Sequence, residues 1–536
     1  MSAASQPFAA RPGTLCEAEK LIEQLRQKLQ MAELRVLVLE ERLRLQRIEK
    51  YGAGSEKLSN SQLEMLEQEP GVSREEVQAE SERPVIEGDV LEVAGYQRKA
   101  RRCHPGRQSL PADLPRVEKV LACPTEQCVC GQCGQPTTVM GYEESEQLEV
   151  EPAKYFVLVT KREKRTCKGC TGAKIVVAPL PARIIEKSLA SDGVVIDTVI
   201  RKYCDHLPLY RQSVILDREW GVDISRATLD GWVMQVGELL KPLVGIMGRQ
   251  LVQGSYLQAD ETPVEVQMHD RRGKNHQAYL WQYGRPGGET VFDFRLGRDR
   301  AGPKYFLQDF QGLLQTDGYA VYDKVGASGM VHAACWAHCR RGFAQVVKLN
   351  PNDPAASPIV ARINELFAVD GEAREQGLSV EARHRLRQQK APGLLEKIKV
   401  AIDAAKPGAL PGGALEKACH YALALWPRLT RFLQYPELEL SNNQIENSMR
   451  PIALGRKNWI HIGSPEAGPK VAAILSVIES SRRLKISARD YLSCVLPGLA
   501  NVRVGHLQAL TPTAWAASVS SQADLAYVNT SILRLP

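Results

Sequence analysis

The period of the apolar positions changes several times along the chain, and each change marks a different kind of element. Residues 21–45 are charged, Leu-rich and free of Gly and Pro, with apolar side chains at Ile22, Leu25, Leu29, Ala32, Val36, Leu39 and Leu43. That a and d spacing over about three heptads predicts a coiled coil across 15–50, hence self-association or a helical partner. Tyr51-Gly52-Ala53-Gly54 ends the helix, and the acidic, aromatic-poor residues 64–92 predict a flexible linker within 51–115. Residues 184–240 read as helical throughout. A first helix runs to about Tyr203 and a second from Tyr210 to Trp220; Gly221-Val222-Asp223 makes a turn, and a third helix opens at Ser225, whose hydroxyl can cap free N–H groups. Helix, glycine turn and capped helix is the grammar of a helix-turn-helix domain, placed at 181–245. It sets Ser225, Arg226 and Thr228 at the start of a recognition helix with Trp232 on the buried side. From Ser255 the period falls to two. Residues 256–266, 278–283 and 290–295 predict three successive strands; a helix near 304–310, a strand into Asp317 and another over 330–334 follow. Residues 351–436 are helical again, with Gly/Pro breaks expected at Pro392-Gly393 and across 407–413.

A chain of 536 residues should hold three or four domains at about 150 residues each, and its 44% apolar content suffices for packed cores. The net charge is only +7, but basic residues cluster at Arg98-Lys99 with Arg101-Arg102, at Lys161-Arg162 with Lys164-Arg165, at Arg340-Arg341, at Arg456-Lys457 and at Arg482-Arg483 with Lys485. Such clusters point to a polyanionic partner. Six of the 13 cysteines lie between Cys123 and Cys170. Cys130-Gly131-Gln132-Cys133 and Cys167-Lys168-Gly169-Cys170 form two Cys-x-x-Cys knuckles, and the alternating residues 147–160 predict a hairpin between them. Four thiolates so arranged suit one tetrahedral structural Zn²⁺ in a domain over 116–180, with Cys123 and Cys128 close enough to replace a ligand. The first residues lack an apolar signal core, and runs such as Val471-Ala472-Ala473-Ile474-Leu475 are too short to cross a bilayer. A cytoplasmic location without a membrane partner is therefore expected.

Candidate chemistry lies in three separated acids. Asp260 closes the run Ser255-Tyr256-Leu257-Gln258-Ala259, Asp317 closes Gly312-Leu313-Leu314-Gln315-Thr316, and Glu446 stands ahead of the basic stretch 450–457. Carboxylates at the ends of adjacent strands and a third from a helix would cage two Mg²⁺ or Mn²⁺ ions, Asp260 bridging both, for in-line displacement at phosphorus. Glu261 competes with Asp260, although successive strand residues face opposite sides and only one can point inward. Glu437 and Glu439 compete with Glu446, and spacing does not decide among them. Three strands, a helix and a further strand, with acids on the first and fourth, is a ribonuclease H-like order. It gives a multidomain α+β chain with catalytic halves at 250–345 and 437–490, a helical insertion at 346–436 and a C-terminal element at 491–536. Cys335 and His338 read from their residues alone as core.

These residues also carry a resemblance. Gln258-Ala259-Asp260-Glu261-Thr262-Pro263-Val264, Gln315-Thr316-Asp317-Gly318-Tyr319, Cys335-Trp336-Ala337-His338 with Arg340-Arg341, Asn443-Gln444-Ile445-Glu446-Asn447 through Arg450-Pro451, and Gly455-Arg456-Lys457-Asn458-Trp459 resemble the transposases of the insertion sequence 66 family, a branch of the DDE transposases. The resemblance runs almost end to end and includes the Cys knuckles and the Leu-rich N-terminal region. It implies that Asp260, Asp317 and Glu446 are the DDE triad, which selects Glu446 from its competitors. It also implies that Cys335 and His338 belong to a Cys-x-x-His signature, and that Arg340, Arg341, Arg450, Arg456 and Lys457 contact DNA, while Trp459 stacks on a base or is simply core; Arg226 and Thr228 contact DNA in the helix-turn-helix reading. The implied activity is cleavage at terminal inverted repeats and transfer of the freed 3′-hydroxyls to target DNA, with small accessory transposition proteins as further partners. A non-catalytic zinc and helix-turn-helix regulator, or a ribonuclease H-like nuclease that does not join strands, are the competing functions.

Overall fold

The computed structural model describes residues 15–51, 135, 155–165, 176–268, 273–350 and 353–521. The chain divides into two compact units, one of residues 87–179 and one comprising 1–86 with 180–536. In the smaller unit, β1 (Lys164–Arg165) pairs antiparallel with β2 (Val176–Val177). The apolar run at 155–159, expected in a hairpin, is not in a strand, and Phe156, Val157, Leu158 and Val159 are exposed. Period-two sequence needs a facing surface to become a half-buried strand, and among the described residues none covers this run. Cys130, Cys133, Cys167 and Cys170, with the expected linker, lie outside the described residues.

The larger unit begins with α1 (Leu15–Tyr51), a single helix of 37 residues. Three helices follow at the predicted positions: α2 (Asp192–Tyr203), α3 (Leu209–Trp220) and α4 (Arg226–Val252). Gly221 takes the left-handed conformation (φ 63°) that closes α3, and the Ser225 hydroxyl accepts from Thr228 N at 3.2 Å to cap α4. Trp232 is buried, and Arg226 and Thr228 are exposed. The stretch 184–190, expected to be helical, is irregular.

The strands β3 (Tyr256–Val266), β4 (His276–Gly284), β5 (Thr290–Arg295), β6 (Leu313–Thr316) and β7 (Val331–Ala334) form one sheet of spatial order β5-β4-β3-β6-β7, and α5 (Ala301–Leu307) links β5 to β6. The first three strands run antiparallel; β6 and β7 join parallel to β3. Downstream come α6 (Trp336–Leu349), α7 (Ala356–Glu375), α8 (Val380–Ala405), α9 (Ala414–Ala424), α10 (Asn443–Trp459), the short strand β8 (His461–Ile462), which pairs with the far end of β3, α11 (Gly468–Arg483), α12 (Ala488–Val495) and α13 (Pro512–Ser521). The break expected at Pro392-Gly393 does not occur, and α8 runs straight through it. Ala391, Leu395, Ile398 and Ile402 form one buried face, and that packing outweighs the backbone hydrogen bond Pro392 forfeits. The break across 407–413 is present.

The unused edge of β5 is covered by α11. Ser476 and Ser480, one turn apart, accept from Phe292 N (2.8 Å) and Thr290 N (3.0 Å), and the Ser480 hydroxyl donates to Thr290 O (2.9 Å). Helix hydroxyls thus satisfy strand groups that would otherwise lie open to pairing. At the opposite end of the sheet, Ala333, Ala334, Trp336 and Phe343 share a core with Ile363, Leu366, Leu395 and Ile398 of the helical segment.

Candidate active site

Asp260 and Asp317 come from neighbouring parallel strands. β3 and β6 meet in register at Gln258 and Gln315, and each aspartate lies two residues further on. The two glutamines are buried, and their amides tie the sheet to a distant segment. Gln315 Oε1 accepts from Tyr256 Oη (2.6 Å) and Gln258 Nε2 (2.9 Å), Gln315 Nε2 donates to Glu439 O (2.7 Å), and Gln258 Nε2 donates to Ser441 O (3.0 Å). The sheet therefore grips the backbone at 439–441, immediately before α10, whose first turn carries Glu446. Sequence reading missed these glutamines; the available signal was an identical amide two positions before each aspartate, inside otherwise apolar runs.

Two of the competing acids have other partners. Glu261 points away from Asp260: its carboxylate accepts from Tyr322 Oη (2.7 Å) and from Arg298 Nη2 (2.6 Å), and Arg298 stacks on Tyr319, 4.3 Å from the ring centre. Burial raises the Glu261 pKa despite those partners. Glu439 pairs with Arg383 (2.6 Å) and Arg374 (3.2 Å) of the helical segment. Asp317 Oδ1 accepts from Tyr319 N (2.8 Å) in a turn whose Gly318 has φ 93°, and there a side chain would also strike Leu425. Tyr421 of α9 donates to the Asp317 carbonyl.

Asp260 is held well above the ordinary carboxylate range, first by burial and then by Glu446, Glu261 and Asp317. Glu446 is the neighbouring charge that weighs most. Carboxylates crowded in this way retain a proton unless a cation offsets them, so the oxygen donors fit a hard divalent ion such as Mg²⁺. Glu446 is otherwise engaged from α6: Arg341 Nη2 lies 3.2 Å from Oε2, and His338 Nδ1 lies 3.5 Å from Oε1. Asp260, Arg341, Glu446 and Arg450 line one open cleft.

Of the paired arginines, Arg341 reaches this cleft while Arg340 is buried, its Nε 2.5 Å from Asn364 Oδ1. Arg450 and Lys457 are exposed. Arg456 donates to the Pro263 carbonyl and so braces α10 against β3. Trp459 is half-buried over Gly455, in space that a Cβ would fill. Cys335 and Cys339 are both buried; burial pushes the Cys335 thiol up to about 12. His332, also missed, bridges Thr316 (2.8 Å) and Asp323 (3.2 Å), and burial lowers its pKa to about 4.

In α1, Leu34, Val38 and Glu41 are partly buried, and Glu41 Oε1 accepts from Ala414 N (3.0 Å) at the start of α9. Ile22, Leu25, Leu29, Val36, Leu39 and Leu43 are all exposed. At 100° per residue the two sets lie roughly 170° apart around the helix.

The chain matches the model of the transposase IS66 family over residues 187–470, the model described as transposase C of IS166 homeodomain over 38–118, and the zinc-finger binding domain of transposase IS66 over 127–171. It is 30% identical over 491 residues to the uncharacterized protein y4jD of Sinorhizobium fredii, spanning 88% of this chain and 93% of that one. It is 29% identical over 523 residues to y4qI of the same organism, covering 94% of each.

Proposed function

The chain belongs to the IS66 transposase family, and from that premise we propose that it is a DNA transposase using Asp260, Asp317 and Glu446 as a DDE triad on a ribonuclease H-like sheet. The observation that carries this reading is the placing of Glu446 with Asp260 in one cleft: Glu446, brought from beyond a long helical segment, bears more on Asp260 than either acid nearer in sequence. Two Mg²⁺ or Mn²⁺ ions held by these carboxylates would activate the attacking hydroxyl and stabilise the leaving oxygen. Water attacks phosphorus at the element's end, one P–O bond forms and the bridging bond breaks, freeing a 3′-hydroxyl. That hydroxyl then attacks a target phosphodiester, losing its proton as the target's 3′ oxygen departs. Arg450 and Arg341 neutralise phosphate in the cleft, and Arg226 and Thr228 approach DNA from the exposed start of α4.

The remaining parts fit around this core. Cys130, Cys133, Cys167 and Cys170 would hold one structural Zn²⁺ in the zinc-finger region. The exposed heptad stripe of α1, opposite the face that rests on the protein, supports self-association, which two-ended chemistry requires. The test is a strand-transfer assay with a pre-cut inverted-repeat end. Wild type should join that end to target DNA only with Mg²⁺ or Mn²⁺, and Asp260→Asn, Asp317→Asn and Glu446→Gln should each abolish joining while still binding DNA. Joining that survives Asp260→Asn would show a different catalytic centre; DNA binding by wild type without cutting or joining would show a regulator, and cutting without joining a nuclease.

A further inference from the structure

The Cys-x-x-His pair and Glu446 have a feature that phosphoryl transfer does not require. Cys335 Sγ, a ring nitrogen of His338 and a carboxylate oxygen of Glu446 all lie within 4.8 Å of one another. His338 Nδ1 and Glu446 Oε1 are buried, have no hydrogen-bond partner and face each other at 3.5 Å. The wholly buried Asn442 stands beside them, its side-chain amide against the His338 ring, and its backbone N–H points to Cys335 Sγ at 3.5 Å. Buried unpaired polar atoms are costly, and two converging on one gap call for a common partner. Tetrahedral zinc bonds of about 2.0–2.2 Å to nitrogen and oxygen set those two ligands roughly 3.4 Å apart, close to the spacing observed.

We propose that Cys335, His338 and Glu446 form a second metal site, selective for a thiophilic divalent ion such as Zn²⁺, with the Asn442 amide oxygen beside it as a fourth donor. A thiolate and an imidazole favour zinc over Mg²⁺ or Mn²⁺. On binding, the Cys335 thiol releases one proton to solvent as the sulfur–metal bond forms. The ring proton of His338 moves to Nε2, leaving the Nδ1 lone pair for the metal. Arg341 Nη1 now lies 3.2 Å from Nε2, where two donors would meet, so metal binding turns Arg341 out towards solvent, where half of its side chain already is. The site holds Glu446 either under Arg341 or on the thiophilic ion. The consequence for catalysis rests on the transposase reading: zinc withdraws Glu446 from the other two acids and inhibits Mg²⁺-dependent cleavage. The site itself rests on geometry alone.

The test is a Co²⁺ titration of the full chain with its zinc-finger region already filled with Zn²⁺, read by the thiolate-to-cobalt charge-transfer band. Wild type should take up one further equivalent with that band. Cys335→Ser should lose it, and His338→Ala should weaken binding beyond the roughly 10–100-fold typical of changes around a metal's ligands. Arg341→Ala should tighten binding, a gain that misfolding cannot produce, and Asp317→Asn should keep the band. No further thiolate-bound equivalent in wild type, or a band that persists in both Cys335→Ser and His338→Ala, overturns the proposal. Because the readout is independent of cleavage, it can fail while the transposase reading stands, and the reverse.

Discussion

Removing Asp370 should loosen the helical segment and, through it, the strand of chain that delivers Glu446. Arg387 and Asp370 are almost wholly buried, their side chains 1% and 2% exposed. Arg387 Nε and Nη2 donate to the two carboxylate oxygens at 2.7 and 2.5 Å, and Nη1 donates to Leu438 O at 2.7 Å. One guanidinium thus joins α7, α8 and the segment running into α10. Asp370→Ala leaves that charge buried with only the Leu438 carbonyl and the face of Phe432 beside it and no counter-charge, a cost of about 3–5 kcal/mol. For a cooperative unit of roughly 440 residues, at about 2.1 cal/mol/K per residue, this lowers the melting temperature by roughly 3–5 °C. Calorimetry supplies the shift, and hydrogen exchange should show α7, α8 and residues 438–442 losing protection first. Replacing both partners, Asp370→Leu with Arg387→Met, should recover most of the loss, because an apolar pair of similar volume needs no compensating charge. A single-mutant cost below about 1 kcal/mol, or a double mutant as unstable as the single, would refute the reasoning.

Three further outcomes follow from the site. Asp260 binds its proton more tightly folded than unfolded, so its contribution to stability is full below the ordinary carboxylate pKa and is lost as pH rises through the raised folded value. Melting temperatures in EDTA should therefore fall more steeply with rising pH in wild type than in Asp260→Asn, and equal slopes would contradict this. Gln315→Leu removes the acceptor of the Tyr256 hydroxyl and the donor to the Glu439 carbonyl, and should cost about 1–3 kcal/mol in urea unfolding while reducing strand transfer more than DNA binding. Arg450→Ala should lower the slope of log affinity against log salt by about 0.9 for each phosphate that Arg450 neutralises, whereas Arg340→Ala should leave that slope intact and reduce stability, because Arg340 lies in the interior.

Much of this was legible from local pattern. Period-two alternation placed β3 and β5 at 256–266 and 290–295 as observed, because a half-buried strand prints its two faces directly into sequence. The Gly221 turn and Ser225 cap were equally readable, since positive φ and a free helix end each demand particular residue types. Local pattern misled where packing competes with propensity: Pro392 does not break α8, and the alternating run at 155–159 is not in a strand. Charge clustering likewise could not distinguish Arg340 from Arg341, adjacent residues of one helix that face opposite environments.

By itself the sequence determined the family, the element order, Asp317 at the end of its strand and the helical character of residues 15–51; Asp260, expected at a strand end, lies inside β3, which runs on to Val266. Tertiary structure alone decided which acids meet. Glu261 faces Tyr322 and Arg298, Glu439 is taken by Arg374 and Arg383, and Glu446 reaches Asp260 because two buried glutamines bind the backbone just ahead of its helix. Period and propensity describe a residue's neighbours in the chain. A cleft shared across 186 positions, by Asp260 and Glu446, depends on burial and hydrogen-bond satisfaction that exist only once the chain has closed on itself.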